Sequence, residues 1–239
     1  MSVIWHDLEC GSYQADLPLW RSLAEQEGDP ILEVGAGTGR VALDLCARGH
    51  RLTALDNDPE LVEELRRRAT GLDLRIELAD ARAFELGEEF ALCLVPMQTI
   101  QLLGGPSGRA AFLVRARRHL RAGGLLAIAI AIASQLELYE VTEGGPEPLP
   151  DVCERDGVVY ASRPTAVRAA DGRVVLERRR ETVAPDGHHA VEDHAISLDR
   201  LTAAELLREA RAAGLRPAGR ETISATRDYC GSEVVTVRA

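Results

Sequence analysis

The chain has 239 residues, 46% hydrophobic and 28% charged, with a formal net charge of -10. That length and mix suit one α/β domain with room for a small insertion; they exclude a disordered chain and leave little room for two full domains. The acidic balance opposes attraction to nucleic-acid phosphates, so no DNA or RNA partner is expected.

All 28 basic residues are arginine. A Walker-type phosphate loop and the Schiff-base chemistry of pyridoxal enzymes both need a lysine, so these classes are excluded. The five cysteines (Cys10, Cys46, Cys93, Cys153, Cys230) are odd in number and never spaced as CxxC, which predicts neither a disulfide framework nor a metal site. The longest apolar run, Gly123 to Ala133, is about half of the roughly 20 residues needed to cross a bilayer and reads as a buried strand. No membrane association is expected. The opening MSVIWHDLEC lacks the pattern of a secretory signal, so a cytoplasmic protein is expected.

Taken in order, Asp16 to Glu27 reads as a helix, Pro30 to Val34 as a strand, Thr38 to Arg48 as a helix and Arg51 to Leu55 as a second strand. Pro59 opens a helix running to about Ala69. Strands follow near Leu72 to Leu78 and Phe90 to Val95, then a helix from about Gly108 to Leu120 and the apolar strand from Gly124. This alternation predicts a doubly wound, mostly parallel sheet covered on both faces, with ligands at the carboxyl ends of its strands. From Asp156 to Leu198 the texture changes to alternating apolar and polar residues with turn signals at Asp171-Gly172 and Asp186-Gly187. Three antiparallel strands are expected there, within an insertion of about residues 140–198. A helix from Thr202 to Ala213 and strands around Arg220 and Val234 return the chain to a sheet of seven strands, giving a single domain over residues 1–239.

The segment ILEVGAGTGR, residues 31–40, carries most of the chemistry. A buried strand ends in Glu33 and is followed by Gly35, Gly37 and Gly39 before a helix. Glycine allows a tight turn and a ligand against bare backbone, while the helix start supplies free N–H groups. Asp56, in ALDND, lies 21 residues after Gly35, at a strand end where a carboxylate can accept hydrogen bonds from a ribose diol. Asp80, in ADARAF, follows the third strand. Three acids thus meet at one sheet edge.

Through EVGAGTGR, ALDND, LADARAF and the later LRAGGLL, the sequence resembles class I S-adenosyl-L-methionine (SAM) dependent methyltransferases over roughly residues 5–133. The resemblance implies a Rossmann-like fold and SAM as cofactor. It implies that Gly35, Ala36, Gly37 and Gly39 line the methionine portion and that Asp56, with Asn57, binds the ribose. Asp80, Ala81 and Arg82 would meet the adenine, Glu33 would support the loop or the ammonium, and Pro96 and Tyr13 would complete the cofactor site.

The whole layout, including EDHAISLDRLTAAELLREARAAGL, looks most like small-molecule N-methyltransferases, among them amino-sugar N,N-dimethyltransferases. Those enzymes carry a histidine able to act as base after the fourth strand, and the matching position here is Gln101. A glutamine orients an acceptor but cannot take its proton.

The expected reaction is methyl transfer to a small-molecule acceptor, at nitrogen or oxygen, with Gln98 and Gln101 at the acceptor side. The protein is expected to be a monomer or homodimer. One alternative is an NAD(P)-dependent oxidoreductase, although the third glycine comes one residue early for G-x-G-x-x-G; a second is a non-catalytic SAM-binding protein. Trp5 and Tyr13 precede the first helix; Tyr13 reads as a lid over the cofactor or as core, and Trp5 more as core than as lid. His188, His189 and His194 read as exposed strand positions rather than as ligands or bases.

Overall fold

The computed structural model describes residues 3–132, 149–226 and 229–239. A helical turn α1 (Val3–His6) runs into a wider turn, Asp7–Gly11, and is followed by α2 (Leu17–Glu27). Then come β1 (Ile31–Val34), α3 (Arg40–Cys46), β2 (Leu52–Asp56), α4 (Pro59–Arg68), β3 (Leu74–Leu78) and β4 (Phe90–Val95). A 3₁₀ turn (Thr99–Leu102), α5 (Gly105–Arg118) and β5 (Leu120–Ala131) complete the parallel part. Four strands follow: β6 (Asp151–Arg155), β7 (Val158–Ala170), β8 (Arg173–Val183) and β9 (His189–Asp199). The described chain closes with α6 (Ala203–Ala212), β10 (Arg216–Ile223) and β11 (Ser232–Arg238).

Local chemistry sets these boundaries. Helix α4 starts where Asp58, with extended backbone, accepts from the Glu60 and Leu61 N–H groups and Pro59 occupies the first turn. Its buried face is Leu61, Val62 and Leu65, and Arg66, Arg67 and Arg68 sit at the end favoured by the helix dipole. Helix α6 begins with a reciprocal capping box between Thr202 and Glu205. Helix α3 starts at Arg40, two residues later than the sequence pattern suggests, because Gly37 and Gly39 both adopt positive φ and hold the chain in a loop.

The main sheet has the order β10-β11-β5-β4-β1-β2-β3. Strands β3, β2, β1, β4 and β5 are parallel, while β11 is antiparallel to both β5 and β10. This is the doubly wound seven-stranded arrangement expected. Buried clusters lie on both faces, one around Phe112, Leu206 and Ile128 and the other around Trp20, Leu45 and Leu125. Among the described residues no helix is long and apolar enough to cross a membrane.

The insertion differs from expectation by one strand. It forms a four-stranded antiparallel sheet, β6-β7-β8-β9, because Asp156-Gly157 is itself a hairpin turn, with φ of 54° and 77°. The added strand, DVCER, has little apolar alternation, and Val152 is exposed, so periodicity did not mark it. The expected start of the insertion near residue 140 lies outside the described residues.

The last strand of this sheet is pinned to the main domain at Asp199. Its carboxylate accepts from Arg109 Nη1 at 2.5 Å and from the Gly105 N–H at 2.8 Å, and Arg109 also grips Glu209 of α6 through Nε and Nη2. Arg109 is buried. Replacing it with leucine leaves a buried carboxylate without its cation, a loss of about 3 kcal/mol. Urea unfolding of Arg109→Leu should show that drop in stability, and an unchanged midpoint would contradict the role given to the pair.

Candidate active site

The strand order reverses between β1 and β4, which opens a crevice at the carboxyl edge of the sheet. A cavity of about 720 Å³ occupies it. Glu33, Gly35 and Ala36 reach it from the end of β1, Asp56 and Asn57 from β2, Asp80, Ala81 and Arg82 from β3, and Pro96 and Gln98 from β4. The four-stranded sheet forms the far wall, through Val167, Leu176, Arg178, Ile196 and Leu198. The N-terminal turn adds His6, Glu9 and Cys10.

Asp56 does more than face the cavity. Its Oδ2 accepts from the Gly37 N–H at 2.8 Å and its Oδ1 from the Asp58 N–H at 3.0 Å, which ties the glycine loop to the end of β2. Each carboxylate oxygen keeps a second acceptor site. Asp80 is held by Arg82, which donates from its backbone N–H, Nε and Nη2 at 2.6 to 2.9 Å.

Four expected site residues are not among the cavity walls. Gly37 and Gly39 serve packing instead: a Cβ on Gly37 would stand 2.3 Å from His6 Nε2, and one on Gly39 the same distance from Leu65 Cδ1. Their hydrogen side chains let α1 and α4 close on the loop. Tyr13 is one layer behind, buried against the Tyr229 ring at 4.8 Å and beneath the Arg40 guanidinium.

Gln101 is buried, and its amide bridges two backbone groups. Nε2 donates to the Asp199 carbonyl at 2.9 Å and Oε1 accepts from the Ala131 N–H at 2.8 Å. It braces the insertion against β5 rather than facing an acceptor. Gln98 keeps its place on the cavity wall.

The N-terminal segment is bound to both sides of the crevice. Asp7 accepts from Thr38 Oγ1 and from Arg68; burial opposes ionisation of its carboxyl, but hydrogen bonds with His6, Arg68 and Thr38 hold it well below the usual range. Glu9 accepts from Arg180 at 2.8 and 2.9 Å and from Ser162 Oγ at 2.7 Å. Burial would raise its carboxyl, yet these bonds and the charges of Arg178 and Arg180 keep it low. Trp5 packs edge-on against Tyr160 beneath Arg180, so it belongs to the core at this junction. Sequence separation hid these partners: Glu9 and Arg180 are 171 residues apart.

His188 and His189 are exposed as expected, while His194 is half-buried on β9. Its imidazole is pushed toward the neutral form, first by burial and then by Arg180. Among the described residues no cluster of His, Cys, Asp and Glu is arranged to hold a metal. The Cys10 thiol is pushed up to about 11 by burial, reinforced by Glu9, which keeps it in the unreactive protonated form.

Glu33 is almost wholly buried at the floor of the cavity, and its Oε2 has no hydrogen-bond partner. Burial pushes its carboxyl up to about 8; Arg40 opposes the shift, and Asp16 and Asp56 add to it. The unfolded chain releases this proton near the ordinary value of 4.5, so stability from the neutral carboxyl is complete below pH 4.5 and is lost as pH rises toward about 8. Without cofactor, the melting temperature should therefore fall between pH 5 and 8 by more in the native protein than in Glu33→Gln; parallel curves would exclude a neutral Glu33. Gln101→Ala should lower stability by about 1–3 kcal/mol, since it strands two buried backbone groups. Chemical denaturation at fixed pH measures this, and full stability would contradict the bracing role.

Residues 31–124 match a family described as "Methyltransferase domain". A probable cobalt-precorrin-6B C(15)-methyltransferase (decarboxylating) from Methanothermobacter thermautotrophicus is 31% identical over 118 residues, covering 48% of this chain and 59% of that protein. The chain thus matches little more than half the length of this curated relative. The SAM-bound amino pentose methyltransferase CalS10 from Micromonospora echinaspora superposes with a TM-score of 0.74 at 18% identity, covering 100% of this chain and 98% of the other. The sugar N-methyltransferase KedS8 from Streptoalloteichus superposes with a TM-score of 0.73 at 20% identity, covering 99% and 92%. At these identities the likeness is one of fold. With a match to a methyltransferase domain over residues 31–124, and parallel strands whose acidic ends meet in one crevice, the chain shares the fold of SAM-dependent methyltransferases.

Proposed function

We propose that this protein is an enzyme that transfers a methyl group from SAM to the nitrogen or oxygen of a small-molecule acceptor, in the cytoplasm and as a monomer or homodimer. The observation that carries this reading is one continuous cavity, with the acids of three strand ends at one side and the four-stranded sheet at the other.

The cavity suits SAM chemically. Glu33 offers a buried acceptor oxygen without a partner, which fits an ammonium. Asp56 keeps acceptor sites for ribose hydroxyls beyond the two N–H groups it already holds. Asp80, Ala81 and Arg82 line the cavity on the side where adenine would sit, and Asn57 and Pro96 line it too. SAM carries positive charge at its sulfonium and no phosphate, so an acidic wall favours it over a dinucleotide. When bound, SAM supplies an electrophilic methyl group.

The chain's own contribution is placement. Methyl transfer is an in-line displacement, and well-oriented reactants reach effective molarities of about 10⁵ to 10⁸ M. Gln98 orients the acceptor from the end of β4, while the insertion and the N-terminal turn exclude water. With Gln101 held by backbone groups, the position after β4 supplies no base.

Asp56→Ala should weaken SAM binding at least tenfold, because each hydrogen bond to a charged acceptor contributes about 1.5–3 kcal/mol. Calorimetry with SAM, its demethylated product and NAD(P) tests this, with circular dichroism to check folding. SAM and its product should bind and the nicotinamide cofactors should not. NAD(P) binding without SAM binding would overturn the proposal.

A further inference from the structure

The wall opposite the cofactor side has a graded chemistry. On the four-stranded sheet, Val167, Leu176 and Ile196 stand side by side across β7, β8 and β9, and Leu198 continues the apolar surface on β9. All four line the cavity. In the next inward-facing row, Pro164, Arg178 and His194 take their places, nearer the N-terminal turn. Leu102 and Leu103, in the turn after β4, also line the cavity. The acceptor end is therefore a slot with aliphatic sides.

The cationic groups there are already committed. Among the described residues three arginines line the cavity: Arg40, Arg82 and Arg178. Arg40 is paired with both oxygens of Asp16 at 2.6 and 2.7 Å, and Arg82 with Asp80 at 2.6 Å. Arg178 donates to Asp151 at 2.7 Å and to Ser162, with Glu9 at 3.5 Å. A phosphate entering the cavity would meet guanidinium groups whose charge is balanced, and further carboxylates beside them. Like charge without compensation makes such entry costly.

We propose that the acceptor is a phosphate-free molecule with an apolar body, seated against Val167, Leu176, Ile196 and Leu198, and not a nucleotide-linked one. The inference rests on the cavity being the methyl-transfer site and adds the class of molecule it accepts. Arg178 then sets the outer limit of the slot: it holds the sheet to the N-terminal turn and is not an anion receptor.

The test uses the full chain saturated with S-adenosylhomocysteine, whose binding is measured first. N-phenyl-1-naphthylamine, a neutral apolar fluorophore, is titrated in one arm, and uridine and thymidine diphosphates in the other. The fluorophore should bind with a rise in emission, and Ile196→Asn and Leu176→Gln should each weaken it about tenfold, with S-adenosylhomocysteine affinity kept as proof of folding. The nucleotides should give no binding up to millimolar concentration. Submillimolar nucleotide binding overturns the inference, as does a fluorophore that fails to bind or binds both variants like the native protein. Should S-adenosylhomocysteine itself not bind, the methyltransferase reading fails instead, so the two failures are distinct.

Discussion

Parallel pairing of β1 with β2 on one side and β4 on the other is the constraint from which the cavity follows. Parallel neighbours need crossovers, so every strand in this region ends at the same edge and hands its next residues to the same space. Because the chain leaves β1 toward one side and later returns on the other, no helix covers that edge at the centre. The acids Glu33, Asp56 and Asp80 are brought together by topology, although they lie far apart in sequence. An edge so exposed needs a cover, which here is the four-stranded sheet and the N-terminal turn.

Two polar junctions hold the cover. At one end Asp199 is gripped by Arg109 and Gly105 while Gln101 ties its carbonyl to β5; at the other, Glu9 meets Arg178, Arg180 and Ser162. Among the described residues the buried hydrophobic contact between this sheet and β5 is a small cluster of Ala131, Val167, Val174 and Leu198. Directional bonds fix the distance between sheet and strand ends more sharply than such a cluster does, because hydrophobic attraction has no preferred direction. The size of the cavity is thus set mainly by arginine geometry.

What could be read from the sequence divides along the same line. The parallel half was legible because each unit carries a local mark: the glycine loop after β1, the aspartates after β2 and β3, the proline opening α4. Gly35, Ala36, Asp56, Asn57, Asp80, Ala81, Arg82 and Pro96 accordingly reach the cavity. Gln98 and Gln101 looked equivalent, being three residues apart after one strand, yet Gln98 precedes the 3₁₀ turn and Gln101 lies within it, facing the core. The left-handed backbone at Met97 that redirects the chain there has no sequence mark. Gly37 and Gly39 also meet protein neighbours that no local pattern announces, since a close approach by His6 or Leu65 demands a missing side chain as strictly as a ligand does. The role of Arg178 and Arg180 was invisible, because a strand reading ERRRET gives no sign of a carboxylate at residue 9.

That last pairing bears on how the protein is made. Glu9 leaves the ribosome well before Arg180, which follows 171 residues later. Closing so long a loop costs entropy that grows with the logarithm of its length, and no contact at this junction can offset it until β8 exists. During synthesis the N-terminal turn therefore waits beside the finished glycine loop with its carboxylate in water. The parallel sheet can assemble β1 to β5 in that interval, and the cavity acquires its far wall only as β7 to β9 arrive. Formation of the pocket is consequently a late event in folding, separate from formation of the strand edge on which it rests.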